Sequence, residues 1–119
     1  MSDVLNPVQI EQSIRDVANR MAKGVAVCSE RYGLYLETEH AHDLAYARAY
    51  MAHDGAAHEK KYAATLKTAD ERAARDAADV AYRHADRTAR ALEAELRAWQ
   101  SIGASVRSMY SVAGRGEGA

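Results

Sequence analysis

Apolar residues recur every three or four positions through the first part of the chain. The series follows Asn6 and Pro7, an asparagine suited to capping a helix and a proline at the first helical position. Its members are Ile10, Ile14, Val17, Met21, Val25, Cys28, Tyr32 and Tyr35. This spacing is typical of a heptad-like helical stripe. We therefore predict one long helix that passes through Gly24 and Gly33 and presents a narrow seam to another helix.

The pattern ends at Gly55, a residue suited to closing the first helix. A short helix is predicted from Ala56 to Leu66. Thr68 followed by Glu71 has the form of a capping box, which predicts the start of a second long helix reaching about Tyr110. The apolar stripe of that helix is rich in alanine at first and bulkier later: Ala78, Ala81, Ala85, Leu92, Leu96, Trp99, Val106 and Tyr110.

Composition supports an all-α fold. The 119 residues include 26 alanines, one proline and no phenylalanine, and good helix formers predominate over β-branched and aromatic residues. We predict a long helical hairpin with a short helix at the turn. Residues 1–5 are predicted to be a disordered N-terminus, residues 6–112 the helical domain and residues 113–119 a flexible tail.

A two-helix hairpin has little interior of its own, so the predicted fold needs a partner for its remaining apolar surface. A second stripe on the last helix supplies such a surface: Ala91, Ala98, Ile102 and Met109. We expect self-association into a homo-oligomer that covers it.

The charge of the chain is nearly balanced, with a formal net value of −1. This value argues against a strongly basic coat for nucleic acid, but residues 81–115 carry six arginines against three acids. Acid-then-arginine pairs four residues apart, such as Asp79 and Arg83, favour a solvated helix face over a phosphate track. The single cysteine fits a reducing compartment. Neither a signal peptide nor an apolar run of membrane-spanning length is recognisable, so we expect a cytoplasmic protein without membrane contact.

Tyrosines and basic residues cluster near the end of the first helix. Tyr46 and Tyr50 share one helical face, Arg48 lies between them, and Lys60 and Lys61 follow the turn. Aromatic rings beside cations stack nucleobases and neutralise phosphates. Half-buried packing of the tyrosines and simple solvation of the lysines are the alternative interpretations.

Sequence features of an enzyme are weak. Glu37 and His40 form a single Glu-x-x-His motif, whereas a di-iron bundle uses two such motifs and two further glutamates. Nothing matches a phosphate-binding loop or a dinucleotide-binding turn. We therefore expect a non-enzymatic protein without a cofactor or a metal.

The segments Leu44–Gly55 and Glu59–Ala63, followed by the closing helix from Ala91 to Val106, resemble small helical phage proteins of the UvsY-like recombination-mediator family. The order of parts is also similar. The family's DNA-contacting motif reads Leu-Lys-Ala-Arg, and the matching positions here read Ala45-Tyr46-Ala47-Arg48. Arg48 is retained, whereas Tyr46 replaces the lysine.

The resemblance implies a homo-oligomer, in the form of a ring, that binds single-stranded DNA. Such proteins help to load a RecA-type recombinase onto strands covered by single-strand-binding protein. Arg48 is the DNA-binding residue that the resemblance implies, and we expect Tyr46, Tyr50, Lys60 and Lys61 to line the same surface. The implied oligomer interface is formed by Leu92, Leu96, Trp99, Ile102 and Val106. For a phage-encoded protein, the location would be the host cytoplasm.

A structural or adaptor role is the alternative. A phage scaffold or adaptor of helical-hairpin type, acting only through protein–protein contacts, would also have narrow apolar stripes and a near-zero net charge. Binding of single-stranded DNA distinguishes the two classes, since an adaptor would ignore it at moderate salt.

Overall fold

The chain forms three helices in a computed structural model that describes residues 5–118. Helix α1 spans Pro7–Ala52, helix α2 spans Ala57–Lys67 and helix α3 spans Ala69–Gly118. No strand occurs within that range. The prediction of an all-α chain with two long helices and one short helix is confirmed. Residues 1–4 of the predicted disordered segment and Ala119 of the predicted tail lie outside the described residues.

Helix α1 begins where the sequence predicts. The Asn6 side chain accepts a hydrogen bond from the Gln9 amide at 2.9 Å, and the Gln9 side chain accepts one from the Asn6 amide at 3.3 Å. This reciprocal arrangement satisfies amides that the first helical turn leaves without partners. The helix then continues through Gly24 and Gly33 without interruption, as predicted.

The turn between α1 and α2 depends on Gly55. Its φ of +145° is in a region that side-chain-bearing residues rarely adopt. A Cβ atom at this position would also collide with the Glu59 carboxylate. Helix α2 begins at Ala57, one residue later than predicted. The predicted break at Gly55 is therefore confirmed, and it returns the chain toward the end of α1.

The second long helix begins beside Thr68 as predicted, but the predicted capping box is wrong. The Thr68 hydroxyl donates to the carbonyl oxygen of Ala64 at 2.7 Å, within the last turn of α2. The Thr68 amide also bonds to Ala64, and the Arg72 amide bonds to the Thr68 carbonyl. Helical hydrogen bonding thus extends across Thr68, which is only 2 % exposed. The Thr68 hydroxyl therefore acts as a donor to Ala64, and not as the acceptor of a capping box.

Helix α3 is longer than the sequence predicts. It continues past Tyr110 to Gly118, through the part of the chain predicted as a tail. Glycine weakens a helix through backbone entropy but keeps the amide that the helix needs, and proline is absent here. The glycines after Ala113 therefore do not end the helix.

The structure divides into two compact units, and α1 and α3 contribute to both. The first unit contains residues up to Val25 together with those from Arg87 onward. Its buried side chains are Ile10, Val17 and Leu92. Gly103 is buried opposite Ile10, and a Cβ atom at Gly103 would lie 3.2 Å from Cγ2 of Ile10. Farther along the same two segments, the Arg20 guanidinium donates to the Glu95 carboxylate at 3.1 Å. These pairs show that the two helical segments run antiparallel.

The second unit, Ala26–Asp86, contains the end of α1, all of α2 and the start of α3. Its buried apolar positions are small: Ala64, Ala78 and Ala85. Small side chains let helix backbones approach closely. Arg31 on α1 accordingly reaches the backbone carbonyl of Ala81 on α3 at 3.2 Å, and the rings of Tyr32 and Tyr82 lie 4.9 Å apart.

The buried seam of α1 differs from the predicted stripe at two positions. Val25 is 66 % exposed and Tyr32 is 45 % exposed, whereas Gly24 and Arg31 are more buried. Packed helices keep a regular alternation of three and four residues. Helical register therefore places Gly24 and Arg31 in the seam. Val25 and Tyr32, which follow them directly in the chain, are rotated by about 100° from the seam.

Candidate nucleic-acid interface

A row of rings lies along α1 in the second unit. Tyr46 and Tyr50 are one helical turn apart, with ring centroids separated by 6.4 Å and planes inclined by 30°. His42, one turn earlier, has its ring centroid 6.2 Å from that of Tyr46. All three side chains are half-buried. Positions four residues apart share a helix face, so the sequence spacing alone accounts for the row.

A lysine on α2 completes one end of this row. The Nζ atom of Lys60 lies 5.8 Å from the centroid of the Tyr50 ring. This distance is within the range in which an ammonium group is attracted to an aromatic face. The turn at Gly55 makes the contact by returning α2 toward the end of α1. We call Tyr46, Tyr50 and Lys60 the stacking surface.

A cleft adjoins the other end of the row. Its volume is about 260 Å³, and all three helices contribute to its lining: His42, Tyr46, Thr65, Thr68, Arg72 and Arg75. A guanidinium nitrogen of Arg75 lies 3.3 Å from Nδ1 of His42, and the other terminal nitrogen lies 3.3 Å from the Asp76 carboxylate. Two arginines of α3 thus lie beside the rings of α1.

Arg48 and Lys61 do not join the stacking surface. Each residue of an α-helix is rotated by about 100° from the one before it, so Arg48 lies on the opposite side of α1 from Tyr46 and Tyr50. Arg48 is exposed. Lys61 is also exposed and is rotated by about 100° from Lys60. The structure therefore brings together three of the five residues predicted to bind DNA.

Sequence reasoning missed three residues that lie beside the predicted ones: His42, Arg72 and Arg75. The arginines are three residues apart on α3, which places them on one face. The signal that identifies them is the antiparallel register of the two long helices. Pairing Arg31 with Ala81 sets this register and brings Arg75 opposite His42.

Most of the residues predicted to hold an oligomer together are at least half-buried within the single chain. In the first unit, Leu92 is only 8 % exposed. Leu96, Trp99 and Val106 are half-buried. Ile102 is more open, at 37 % exposed. Together with Ala91, Ala98 and Met109, which are also exposed, Ile102 forms an outer apolar face of α3.

Charged pairs on the surface follow the predicted spacing. Arg83 donates to Asp79 at 2.8 Å, in the acid-then-arginine order expected for a solvated helix. This hydrogen bond raises the pKa of Arg83. In the same unit, Tyr35 donates to the Glu39 carboxylate at 2.7 Å. That hydrogen bond, with a smaller effect of desolvation, raises the pKa of the Tyr35 phenol.

The described residues include no cluster of three or more His, Cys, Asp or Glu side chains suited to holding a metal ion. Nor does the described part of any helix combine the length and the apolar character needed to cross a membrane. Comparisons with protein-family models, curated proteins and solved structures found no match to this chain.

Proposed function

We propose that this chain is a non-enzymatic, homo-oligomeric protein that binds single-stranded DNA and acts as a recombination mediator. Its role would be to help load a RecA-type recombinase onto strands covered by single-strand-binding protein. The observation that carries this proposal is the stacking surface, where two tyrosine rings lie one turn apart and the ammonium group of Lys60 lies beside the ring of Tyr50.

The stacking surface suits single strands better than duplexes. Unpaired bases expose their faces to aromatic side chains, whereas the bases of a duplex are already stacked on one another. Each base that stacks on a ring gains about 1–3 kcal/mol, with little dependence on base identity. Lys60 supplies a cation beside Tyr50 that can neutralise a neighbouring phosphate, and its charge makes binding sensitive to salt.

Self-association would strengthen binding at such a small surface. The outer apolar face of α3 includes Ile102 and Met109, and Met109 is 68 % exposed. An assembly of several chains would present several stacking surfaces to one strand. Linked contacts raise overall affinity without any new contact in a single chain. This combination is also consistent with the near-zero net charge, because each chain then needs few cations.

The test is a titration of a fluorescently labelled single-stranded oligonucleotide, followed by anisotropy at low and moderate salt with duplex as competitor. The wild-type chain should bind single strands in preference to duplex and lose affinity as salt rises. Tyr50→Leu should weaken binding by at least about fivefold, the equivalent of one lost stacking contact. Tyr62→Leu is the matched control, since Tyr62 is an exposed tyrosine two residues beyond Lys60.

A parallel test addresses assembly. Ile102→Lys should reduce the molar mass in solution by placing a charge on the outer apolar face, and light scattering after gel filtration measures it. Helical content should not change, because Ile102 is already partly open to solvent. A variant of unchanged mass would remove this face from the assembly.

An adaptor role is the second candidate, and one observation favours it. Large apolar side chains continue along the last turns of α3, where Tyr110 is 55 % exposed and Val112 is 62 % exposed. Extended apolar surface of this kind marks contacts with other proteins. Absence of single-strand binding at low salt, in a chain that still assembles, would favour the adaptor.

A further inference from the structure

The hydrogen-bond donors of the cleft beside Tyr46 are restricted to a few side chains. The hydroxyl of Thr68 already donates to Ala64, and that of Thr65 donates to the carbonyl of Lys61 at 2.9 Å. Each hydroxyl has a single proton, so both threonines offer only lone pairs to the cleft. The guanidinium groups of Arg72 and Arg75 are the principal donors that remain. Two fixed positive charges favour an anionic ligand.

His42 orients Arg75 and presents a further donor. Arginine can only donate, so the 3.3 Å contact makes Nδ1 of His42 the acceptor. The neutral ring then carries its proton on Nε2. The Asp43 carboxylate lies 3.6 Å from the same Nδ1, beyond hydrogen-bond length. The His42 side chain is only 13 % exposed and that of Arg75 is 26 % exposed, so both are held by packing.

The size of the cleft limits the ligand. Pockets for drug-sized molecules measure about 300–1,000 Å³, and this cleft of about 260 Å³ is smaller. Acidic charge is present beside it, since Asp76 bonds to one terminal nitrogen of Arg75. Arg75 nevertheless retains further N–H groups, and Arg72 is exposed. A single tetrahedral anion fits within this volume and matches the paired guanidinium donors.

We propose that this cleft binds one phosphate group, held by Arg72 and Arg75 with Arg75 oriented by His42. In the proposed function, the phosphate belongs to the backbone of the single strand whose bases stack on Tyr46 and Tyr50. Only this assignment to DNA rests on the proposed function. The recognition of phosphate rests on the donor set of the cleft.

The first experiment titrates the full-length protein with inorganic phosphate, followed by two-dimensional ¹H–¹⁵N NMR at an ionic strength held constant with sodium chloride. Saturable shifts should be confined to residues around the cleft. Arg72→Gln and Arg75→Gln should each weaken phosphate binding by about tenfold, as expected for the loss of a charged hydrogen bond. Arg72 is exposed, so Arg72→Gln tests the site without disturbing the packing of Arg75 against His42.

The matched control is Arg15→Gln, which removes the same charge from an exposed arginine of the first unit. The second experiment measures oligonucleotide affinity against salt concentration for the same variants. If Arg72 contacts a phosphate, the slope of the logarithm of affinity against the logarithm of salt concentration should become shallower by about one unit in Arg72→Gln. The slope should not change in Arg15→Gln.

The outcomes separate the two proposals. Localised phosphate shifts that Arg72→Gln weakens, combined with no affinity for single strands, would support the phosphate site and overturn its assignment to DNA. The phosphate site would be overturned if phosphate shifted NMR signals uniformly across the protein, or if Arg72→Gln and Arg15→Gln bound phosphate equally well. Either result would overturn it even where single strands bind tightly.

Discussion

Two glycines inside α1 provide a quantitative test of the helix. Gly24 and Gly33 both lie within the 46 residues of α1. A Cβ added at either position meets no atom within 4 Å beyond the adjacent helix backbone. Replacement by alanine therefore removes the entropic penalty of glycine without creating a clash. We expect both Gly24→Ala and Gly33→Ala to stabilise the protein.

The expected gain follows from helix propensity. Alanine is favoured over glycine in a helix interior by about 0.8–1.0 kcal/mol. The two sites are about 13 Å apart along the helix axis, at about 1.5 Å per residue, so their effects should add to about 1.6–2 kcal/mol. For a chain of this length, 1 kcal/mol shifts Tm by about 4 °C. The double variant should therefore melt about 6–8 °C higher than the wild type.

Thermal unfolding followed by circular dichroism at 222 nm measures this gain. The scans are repeated at several protein concentrations, because self-association makes Tm depend on concentration. Gly103→Ala is the matched control. It makes the same chemical change in α3, but its Cβ would lie 3.2 Å from Ile10, so steric strain should cancel part or all of the gain.

A lower Tm for Gly24→Ala or Gly33→Ala would refute a continuous α1. It would show that the glycine adopts a non-helical conformation that alanine cannot adopt without strain. A loss of molar mass together with a higher Tm at low protein concentration would have another meaning. It would identify the glycine as a position where two chains pack closely.

Three further predictions address single positions. Gly55→Ala should destabilise the protein by about 1–3 kcal/mol, because its φ of +145° strains any side chain, and chemical denaturation would detect the loss. Glu71→Met should raise Tm by several degrees, since Oε2 of Glu71 is buried without a hydrogen-bond partner and its removal gains about 1 kcal/mol; an unchanged or lower Tm would contradict this. Glu39→Gln should lower the pKa of Tyr35 toward its usual value by removing the carboxylate that raises it, as a ¹³C NMR titration of the tyrosine ring would show.

The ends of α1 could be predicted because their causes are local. Asn6 and Pro7 specify the start through a cap and a fixed φ, and the structure shows the corresponding hydrogen bonds. Gly55 specifies the stop through a conformation that glycine adopts readily. The start of α3 beside Thr68 was also predictable, but the interaction that forms there is not the predicted one. A capping-box threonine accepts from the amide three residues later, whereas the buried Thr68 hydroxyl donates to the carbonyl of Ala64, four residues earlier.

The candidate site was predictable where it lies on one helix. Tyr46 and Tyr50 are one turn apart, so their alignment follows from helical geometry. Arg48 lies between them in sequence and matches the arginine of the resembled motif, but the same geometry places it on the opposite face. Lys60 reaches Tyr50 only because the chain turns at Gly55. Its neighbour Lys61 has the same charge and no distinguishing sequence signal.

Local features of the sequence specify the helices, because capping, glycine conformation and apolar periodicity act over a few residues. Packing between the helices sets which of their side chains lie next to one another. The seam contains Arg31 and leaves Tyr32 at its edge, with its ring 4.9 Å from that of Tyr82, because packed helices obey a common register, whatever the hydrophobicity of each residue. The same register sets Arg75 against His42, 33 residues away along the chain. A contact of that kind depends on the relative rotation and offset of two helices, which no local pattern encodes.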